Sequence, residues 1–565
     1  MAKVNSYFKL ADFIPKTWTV LREGYSLAHF RKDLSAGLTV GVVALPLVVV
    51  FSIASGATPV QGLWAAIIAG LVAALLGGSR FQVSGPTGAL VVIISTILGQ
   101  YGMSGLIAAT MLSGLMLVAM GLAGFGNIIR YMPYPVTAGF TTGIGAIIAS
   151  GQLKDLFGLQ IPDFSPEFFT RLVQTFRHLP ELQFWSLGTG LLTIVAILLI
   201  RRFFPRLPVV VLVVSGMAAL VWLFHVPVET IGSRYGAIPK GLPPFSFAVW
   251  NEVMLKDIFS VSFTLALLSS IVTIGSAVVA DGLSGDKLKP NMELVAQGVA
   301  NMAGGLFGGI PVTGAIARTV VNIKHGAWSP FSAVIHALVL LLFTLLLGGL
   351  VSLLPLPALA GLLLVVAWDM SDIKRFIFMR NAPKSDLFVM LATFLLTIAI
   401  GITVAVEIGV LMALILFLRR IMETSSVMPL QQVLVEAEDS GGLATHAAKL
   451  PEDCEVYEIV GPFFFGTADF LQDILDRVEY QPKVFVLRMR RVPAIDATGM
   501  NALVSFLKHC EKHGTTLVLS GVRDQPFKAL SAMGLVGRIG EANILADFSA
   551  AVARVHELLP ANRRS

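Results

Sequence analysis

Val83-Ser84-Gly85-Pro86-Thr87-Gly88-Ala89 and Gly309-Ile310-Pro311-Val312-Thr313-Gly314-Ala315 decide how this chain is read. Both stretches end in Thr-Gly-Ala, both carry a proline one or two residues before the threonine, and both open a short apolar segment. Proline holds its predecessor in extended backbone, and a threonine after it is suited to cap a helix start. Glycine and alanine then leave the first turn open to close approach. A helix N-terminus presents unpaired N–H groups and about half a positive charge. Two such termini brought together would hold an anion without any fully charged side chain. Proline and glycine also kink ordinary spanning helices, but the repeated tripeptide in corresponding halves favours a site.

The surroundings are apolar. Of 565 residues, 55% are hydrophobic and 13% charged, with a mean hydropathy of +0.79; soluble domains run at about 45–50% apolar and about 25% charged. The composition predicts a cytosolic segment over 1–33, a transmembrane domain over 34–420, a linker over 421–434 and a soluble domain over 435–562. A helical span needs about 20 apolar residues. Twelve candidates lie at 34–53, 60–77, 104–124, 129–150, 185–202, 207–225, 258–280, 292–307, 329–349, 354–369, 385–401 and 403–419. Two further segments, 87–98 and 314–323, are too short to cross alone and follow the two quoted stretches. Short glycine- or proline-interrupted segments in matching places mark the discontinuous helices of an inverted repeat. Together they make fourteen.

Orientation follows from the positive-inside rule. With the N-terminal Lys3, Lys9, Lys16, Arg22, Arg31 and Lys32 in the cytosol, alternation places Arg80, Arg130, Arg201, Arg202, Arg206, Lys287, Lys289 and Lys324 there too. Lys374, Arg375, Arg380, Lys384, Arg419 and Arg420 follow. This holds only if both short segments cross, which independently supports fourteen crossings and a cytosolic tail. The charge of +6 is spread over these loops without a compact basic patch, so no nucleic-acid partner is implied. The N-terminus lacks a cleavage signal. Cys454 and Cys510 both lie in the tail and read as buried thiols of a reduced cytosol.

The tail alternates strand and helix: strand 456–465, helix 468–478, strand 484–489, helix 497–513, strand 516–520, helix 525–533 and helix 548–559. A small mixed sheet covered by helices is expected. It carries no phosphate loop, metal-ligand spacing or nucleophile–base constellation, so neither enzyme, cofactor nor metal is implied, and a module binding a cytosolic partner is. Arg318 lies one turn past Thr313-Gly314-Ala315. Two readings stand: it adds positive field to the anion site, or it snorkels from a short helix to the cytosolic surface.

Ser79 to Thr87 (SRFQVSGPT), Ala280 to Gly285 (ADGLSG), Asn291 to Asn301 (NMELVAQGVAN) and Pro311 to Arg318 (PVTGAIAR), with the α/β tail, resemble the SulP anion transporters, solute carrier family 26. The likeness runs from near Asp33 to near Leu559 and looks nearest to the C4-dicarboxylate carriers of enterobacteria. It implies a polytopic α-helical protein with a seven-plus-seven inverted repeat, core and gate domains, and a cytosolic STAS domain. Elevator-type alternating access, a homodimer and a bacterial inner-membrane location are implied as well. By motif matching, Phe51, Thr87, Gly88, Ala89, Val272, Thr273, Ser276, Thr313, Gly314 and Ala315 would line the anion pocket, with Arg318 beside it. Many bacterial members carry an acid nine residues before the Asp of the Asp-Gly pair; counting from Asp281, this chain has Val272. That acid is tied to proton or sodium coupling in the family, so exchange or uncoupled transport is expected here. The tail departs too: Asp496-Ala497-Thr498-Gly499 replaces Asp-Ser-Ser-Gly, which removes the phosphorylated serine and leaves Asp496 and Thr498 to cap a helix.

Nucleobase permeases share the fold in outline, but they need paired acids or amides to read base edges. A channel needs the same pocket without coupling, and a membrane sensor would make the half-helices structural. Backbone dipoles accept sulfate, bicarbonate, chloride or a dicarboxylate alike.

Overall fold

The computed structural model describes residues 10–559 except 130–133, 163, 166, 205–206, 237–244, 246–251, 372, 379–380, 382, 425, 430–449, 452 and 465–481. These residues form two units, Met1–Ala413 and Leu414–Ser565.

In the first unit, α1 (Lys16–Glu23) precedes the first span, α2 (Leu27–Ala54). A reciprocal cap starts α2: the Ser26 hydroxyl accepts from His29 N–H, and His29 Nδ1 accepts from Ser26 N–H. Thr58 and Gln61 do the same for α3 (Pro59–Leu76). α4 (Gly88–Leu122) is broken at Gly102, with φ 65° and ψ −168°, a conformation that side chains disfavour. The segments expected at 87–98 and 104–124 are therefore two spans meeting at that glycine. Next come α5 (Phe125–Ile129), α6 (Tyr134–Phe157), α7 (Phe168–Arg177), α8 (Phe184–Phe203) and α9 (Val209–Leu223). The second repeat follows a short α10 (Ile231–Tyr235). It comprises α11 (Glu252–Ser284), α12 (Pro290–Leu306), α13 (Ile316–Lys324), α14 (Phe331–Val351) and α15 (Leu356–Ser371), then α16 (Ile373–Phe378), α17 (Lys384–Ala399) and α18 (Ile402–Thr424). With the two halves of α4 counted separately and α5, α7, α10 and α16 left out, each repeat has seven spans.

The half-helix α13 has nine residues, about 14 Å at 1.5 Å per residue. That is half of the roughly 30 Å hydrocarbon core, so it crosses only with extended chain before it. α2, α3, α4 and α11–α14 pack on one another, as do α6, α8, α15 and α17: these are the core and gate groups. Close helix approach in the core rests on small residues. A methyl on Gly298 of α12 would stand 2.4 Å from the Gly114 carbonyl oxygen of α4, and one on Gly114 would stand 2.7 Å from that of Gly298. α7 was not foreseen. Its apolar Phe169, Val173 and Phe176 are exposed at i, i+4, i+7, the mark of an amphipathic helix.

The second unit holds a five-stranded sheet in the order β3 (Ser426–Pro429), β4 (Cys454–Val460), β5 (Val484–Arg491), β6 (Thr516–Ser520) and β7 (Ile544–Leu545). β3 pairs antiparallel with β4 and the rest are parallel. β3 falls inside the stretch expected as a linker, and the helix expected at 468–478 lies outside the described residues. Phe485, Leu487, Leu517 and Leu519 pack under α19 (Ala497–His513) and α20 (Asp524–Ala532). Beyond α21 (Leu535–Ile539), α22 (Phe548–Leu558) covers Val456, Val484, Val486 and Val518 on the other face. Asp496 alone caps α19, accepting from Gly499 N–H at 2.8 Å; Thr498 is exposed. Cys510 is buried and Cys454 only partly so, both as free thiols. Burial pushes each thiol up to about 12.

On the α22 face the register sets Glu458 opposite Arg488. Their charges lie 3.7 Å apart with 2% and 4% of the side chains exposed, and the guanidinium covers the Phe548 ring at 4.6 Å. Removing one partner of such a pair costs about 3–5 kcal/mol, because the other charge stays buried. Glu458→Ala is expected to cut hydrogen-exchange protection of the β5 amides about 100-fold or more in the full chain. Unchanged protection would show that the pair contributes little.

Candidate anion site

Between α3 and α4 lies β1 (Ser84–Gly85), and between α12 and α13 lies β2 (Thr313–Gly314). They pair antiparallel, Ser84 opposite Gly314 and Gly85 opposite Thr313. This two-residue ladder brings the N-termini of α4 and α13 together. The Thr87 and Thr313 hydroxyls stand 2.9 Å apart, and that contact corrects the expected caps. Thr87 is the N-cap residue of α4, but its hydroxyl bonds Thr313 and no helix amide. Thr313 lies in β2, and Ala315 is the N-cap residue of α13. The prolines hold both lead-ins extended, so strand pairing brings the hydroxyls together before either helix begins.

The amides follow from this pairing. Gly314 N–H donates to the Thr273 hydroxyl at 3.2 Å and Ala315 N–H to the Val83 carbonyl at 2.9 Å. Leu90 N–H turns back to the Thr87 carbonyl at 3.2 Å. The N–H groups of Gly88 and Ala89 on α4, and of Ile316, Ala317 and Arg318 on α13, have no acceptor among the described residues. On α13 the open donors therefore begin one residue past the expected Thr-Gly-Ala. A methyl on Gly88 would lie 2.6 Å from Met370 Sδ of α15 and 3.2 Å from Phe51 Cε1 of α2. Phe51 and Met370 thus cover the α4 amides. Nothing in the sequence marks Met370, since a methionine in an apolar helix reads as core.

Thr273 touches the ladder directly. Ser276 reaches it through Thr319, 3.4 Å from its hydroxyl, which accepts from Val83 N–H at 3.1 Å. Val272 is half-buried beside Thr273; Ala89 and Ala315 are buried. Arg318 is only 2% exposed, so it is held beside the ladder and does not snorkel. One of its terminal nitrogens donates to the Pro86 carbonyl. The other, Nη1, is buried without a partner among the described residues, against the flat backbone of Gly85.

α12 fixes the ladder. Glu293 accepts from Gly78 N–H at 2.7 Å, Ser79 N–H at 2.8 Å and Gln82 Nε2 at 2.8 Å. One turn on, Gln297 accepts from the Ser84 hydroxyl at 3.0 Å and donates to the Val312 carbonyl at 2.8 Å. Another turn on, Asn301 accepts from Val312 N–H at 2.8 Å. Spacing i, i+4, i+8 puts all three on one helix face, where they hold both lead-ins at once. The signal was present in NMELVAQGVAN, which has a polar residue every fourth place in a spanning helix.

The profile of the sulfate permease family matches residues 30–393, and that of the STAS domain matches 447–551. The Bacillus subtilis (strain 168) protein YvdB, named for sulfate transport, is 38% identical over 92% of this chain and 96% of its own. The solved transmembrane domain of a cyanobacterial bicarbonate transporter, BicA, is 30% identical and superposes with a TM-score of 0.60 over 69% of this chain and 98% of that one. Murine Slc26a9, an anion transporter solved facing inward, is 19% identical but superposes with a TM-score of 0.84 over 99% of this chain and 96% of its own, a likeness of fold. A chain whose whole length carries these likenesses, and whose paired half-helices sit on a STAS-bearing inverted repeat, belongs to the sulfate permease family, the SulP or solute carrier family 26 anion transporters.

Proposed function

We propose that this chain is a secondary transporter of small oxyanions, with sulfate and bicarbonate the first candidates and C4-dicarboxylates the next. One observation carries the reading: five first-turn amides of two converging half-helices lack acceptors among the described residues. Helix N-termini favour anions through these N–H groups and the dipole. Thr87, Gly88, Ala89, Thr273, Thr313, Gly314 and Ala315 would shape the pocket under Phe51, with Val272 and Ser276 behind. Arg318 Nη1 would add positive field. The names of YvdB and BicA support the substrate class.

Transport would proceed by elevator-type motion of α2–α4 with α11–α14 against the gate helices, in a homodimer of the bacterial inner membrane with both termini cytoplasmic. Met370 would be a gate contact that breaks as the core moves. The acid absent at Val272 makes the process exchange or uncoupled flux. Glu407, an acid of the late spans, accepts from the Thr264 hydroxyl at 3.4 Å. Thr264 precedes Thr273 by nine residues, about 14 Å of helix, too far to read a bound base.

Uptake into proteoliposomes tests this with labelled sulfate, bicarbonate and a C4-dicarboxylate, under imposed proton, sodium and voltage gradients. Saturable flux stimulated by anion on the opposite side is expected, within about twofold with or without a proton or sodium gradient. Dependence on an inward proton gradient would overturn the reading of Val272. Flux that does not saturate and is not trans-stimulated would indicate a channel.

A further inference from the structure

A second feature lies one to three turns along α4 from the proposed pocket. There a small cleft, partly open to solvent, is lined by Val92, Ser95 and Thr96 of α4, Gly151 and Gln152 of α6, and Arg171 of α7. α4 belongs to the core group and α6 to the gate group. The first half of α4 ends at Gly102, α2 at Ala54 and α6 at Phe157; all three ends fall on the non-cytosolic side in the orientation read from the basic loops. The cleft therefore lies on the outer side of the amides of Gly88 and Ala89.

Its walls are built for an anion. Arg171 is anchored, with Nε donating to the Ser165 carbonyl at 3.0 Å and Nη1 to the Ile147 carbonyl at 3.2 Å. It can sit this close because residue 151 is glycine: a methyl there would lie 2.9 Å from Nη1. The Phe164 ring stands 5.3 Å from the guanidinium carbon, and Phe169, Val173 and Phe176 of the same short helix are exposed. α7 thus carries its cation on the cavity side and its apolar residues away from it. Gln152 is 7% exposed and lines the cavity. Among the described residues, the lining carries no titratable group besides Arg171.

We propose that Arg171, Gln152, Ser95 and Thr96 form an outer station for the transported oxyanion, where it loses part of its hydration before reaching the half-helix amides. The proposal rests on the reading of the chain as an anion transporter. Arg171 acts at the station as an anion contact, and Gly151 as the residue that lets it approach. The station recruits anion from the outside only, so its loss raises the outer half-saturation concentration and leaves the inner one alone.

The test uses sulfate and the full chain in intact cells and right-side-out vesicles. Arg171→Gln is expected to raise the outer half-saturation concentration about tenfold, the scale of one charge-assisted hydrogen bond. The maximal rate should stay within about twofold and efflux from the inner side should be unchanged. Arg171→Lys, which keeps the charge, should recover part of the loss; a purely structural anchor would lose maximal rate at both faces. Ser95→Cys supplies a readout if Arg171→Gln folds poorly. The native thiols, Cys454 and Cys510, lie in the tail and burial keeps them in the poorly reactive thiol form. A membrane-impermeant thiol reagent should therefore label the Ser95→Cys variant from outside, and sulfate should slow that labelling. Labelling indifferent to sulfate, or an unchanged outer half-saturation in Arg171→Gln, overturns the station. Absence of sulfate, bicarbonate or dicarboxylate flux in the unaltered chain would instead overturn the transport reading on which it rests.

Discussion

Glu293→Ala should abolish transport and visibly destabilise the membrane unit. The carboxylate is 2% exposed and is the acceptor for three buried donors, Gly78 N–H, Ser79 N–H and Gln82 Nε2. Leaving a buried donor unsatisfied costs about 1–3 kcal/mol, so the three together approach about 3–9 kcal/mol. That is a large part of the stability of an ordinary domain, about 5–15 kcal/mol. The chain at 78–82 leads straight into β1, so its release also frees the N-terminus of α4. We expect uptake below about a tenth of normal and a markedly lower unfolding temperature in detergent. Glu293→Gln keeps one carbonyl oxygen and should fall between. Normal uptake and stability in Glu293→Ala would mean that the ladder stands without this clamp.

Gly88→Val should largely spare the fold and do the same to the flux. Gly88 sits in the first turn of α4 with ordinary helical backbone, so a side chain brings no conformational strain there. The atoms it would meet are the ends of Met370 and Phe51, which can swing aside. The stability cost is therefore small, about 1–2 kcal/mol, as for modest overpacking. Yet the added methyls would fill the space over the amides of Gly88 and Ala89. Losing two charge-assisted hydrogen bonds at about 1.5–3 kcal/mol each lowers anion affinity at least about 100-fold. A folded protein with no measurable uptake is expected, checked by unfolding temperature and flux on the same preparation. Flux within twofold of normal would place the substrate elsewhere.

The two effects separate what a linear reading can reach from what it cannot. Fourteen spans, the two lead-ins and the strand–helix order of the tail were legible because apolar periodicity, proline and helix-start residues act locally. Ala497–His513 and Thr516–Ser520 emerge with the bounds the sequence suggested. The break at Gly102 was legible only as a polar gap, and α7 went unseen because ten amphipathic residues resemble a loop when spans are sought by mean apolarity.

The site shows the same division. The sequence determined that Thr-Gly-Ala leads into two half-helices in corresponding places, since a repeated tripeptide needs no neighbour to be noticed. Only the tertiary structure decided that Ser84 pairs with Gly314 and Gly85 with Thr313. The same pairing ties the threonine hydroxyls to each other and leaves the amides that follow as the open donors. It also decided that Glu293, Gln297 and Asn301 hold the ladder, that Arg318 points into it, and that Met370 arrives from the gate. Each of these is a contact between residues far apart in the chain. Such contacts depend on which helix faces meet, and that is set by close packing at places such as Gly114 and Gly298. Single-residue chemistry carries no record of it.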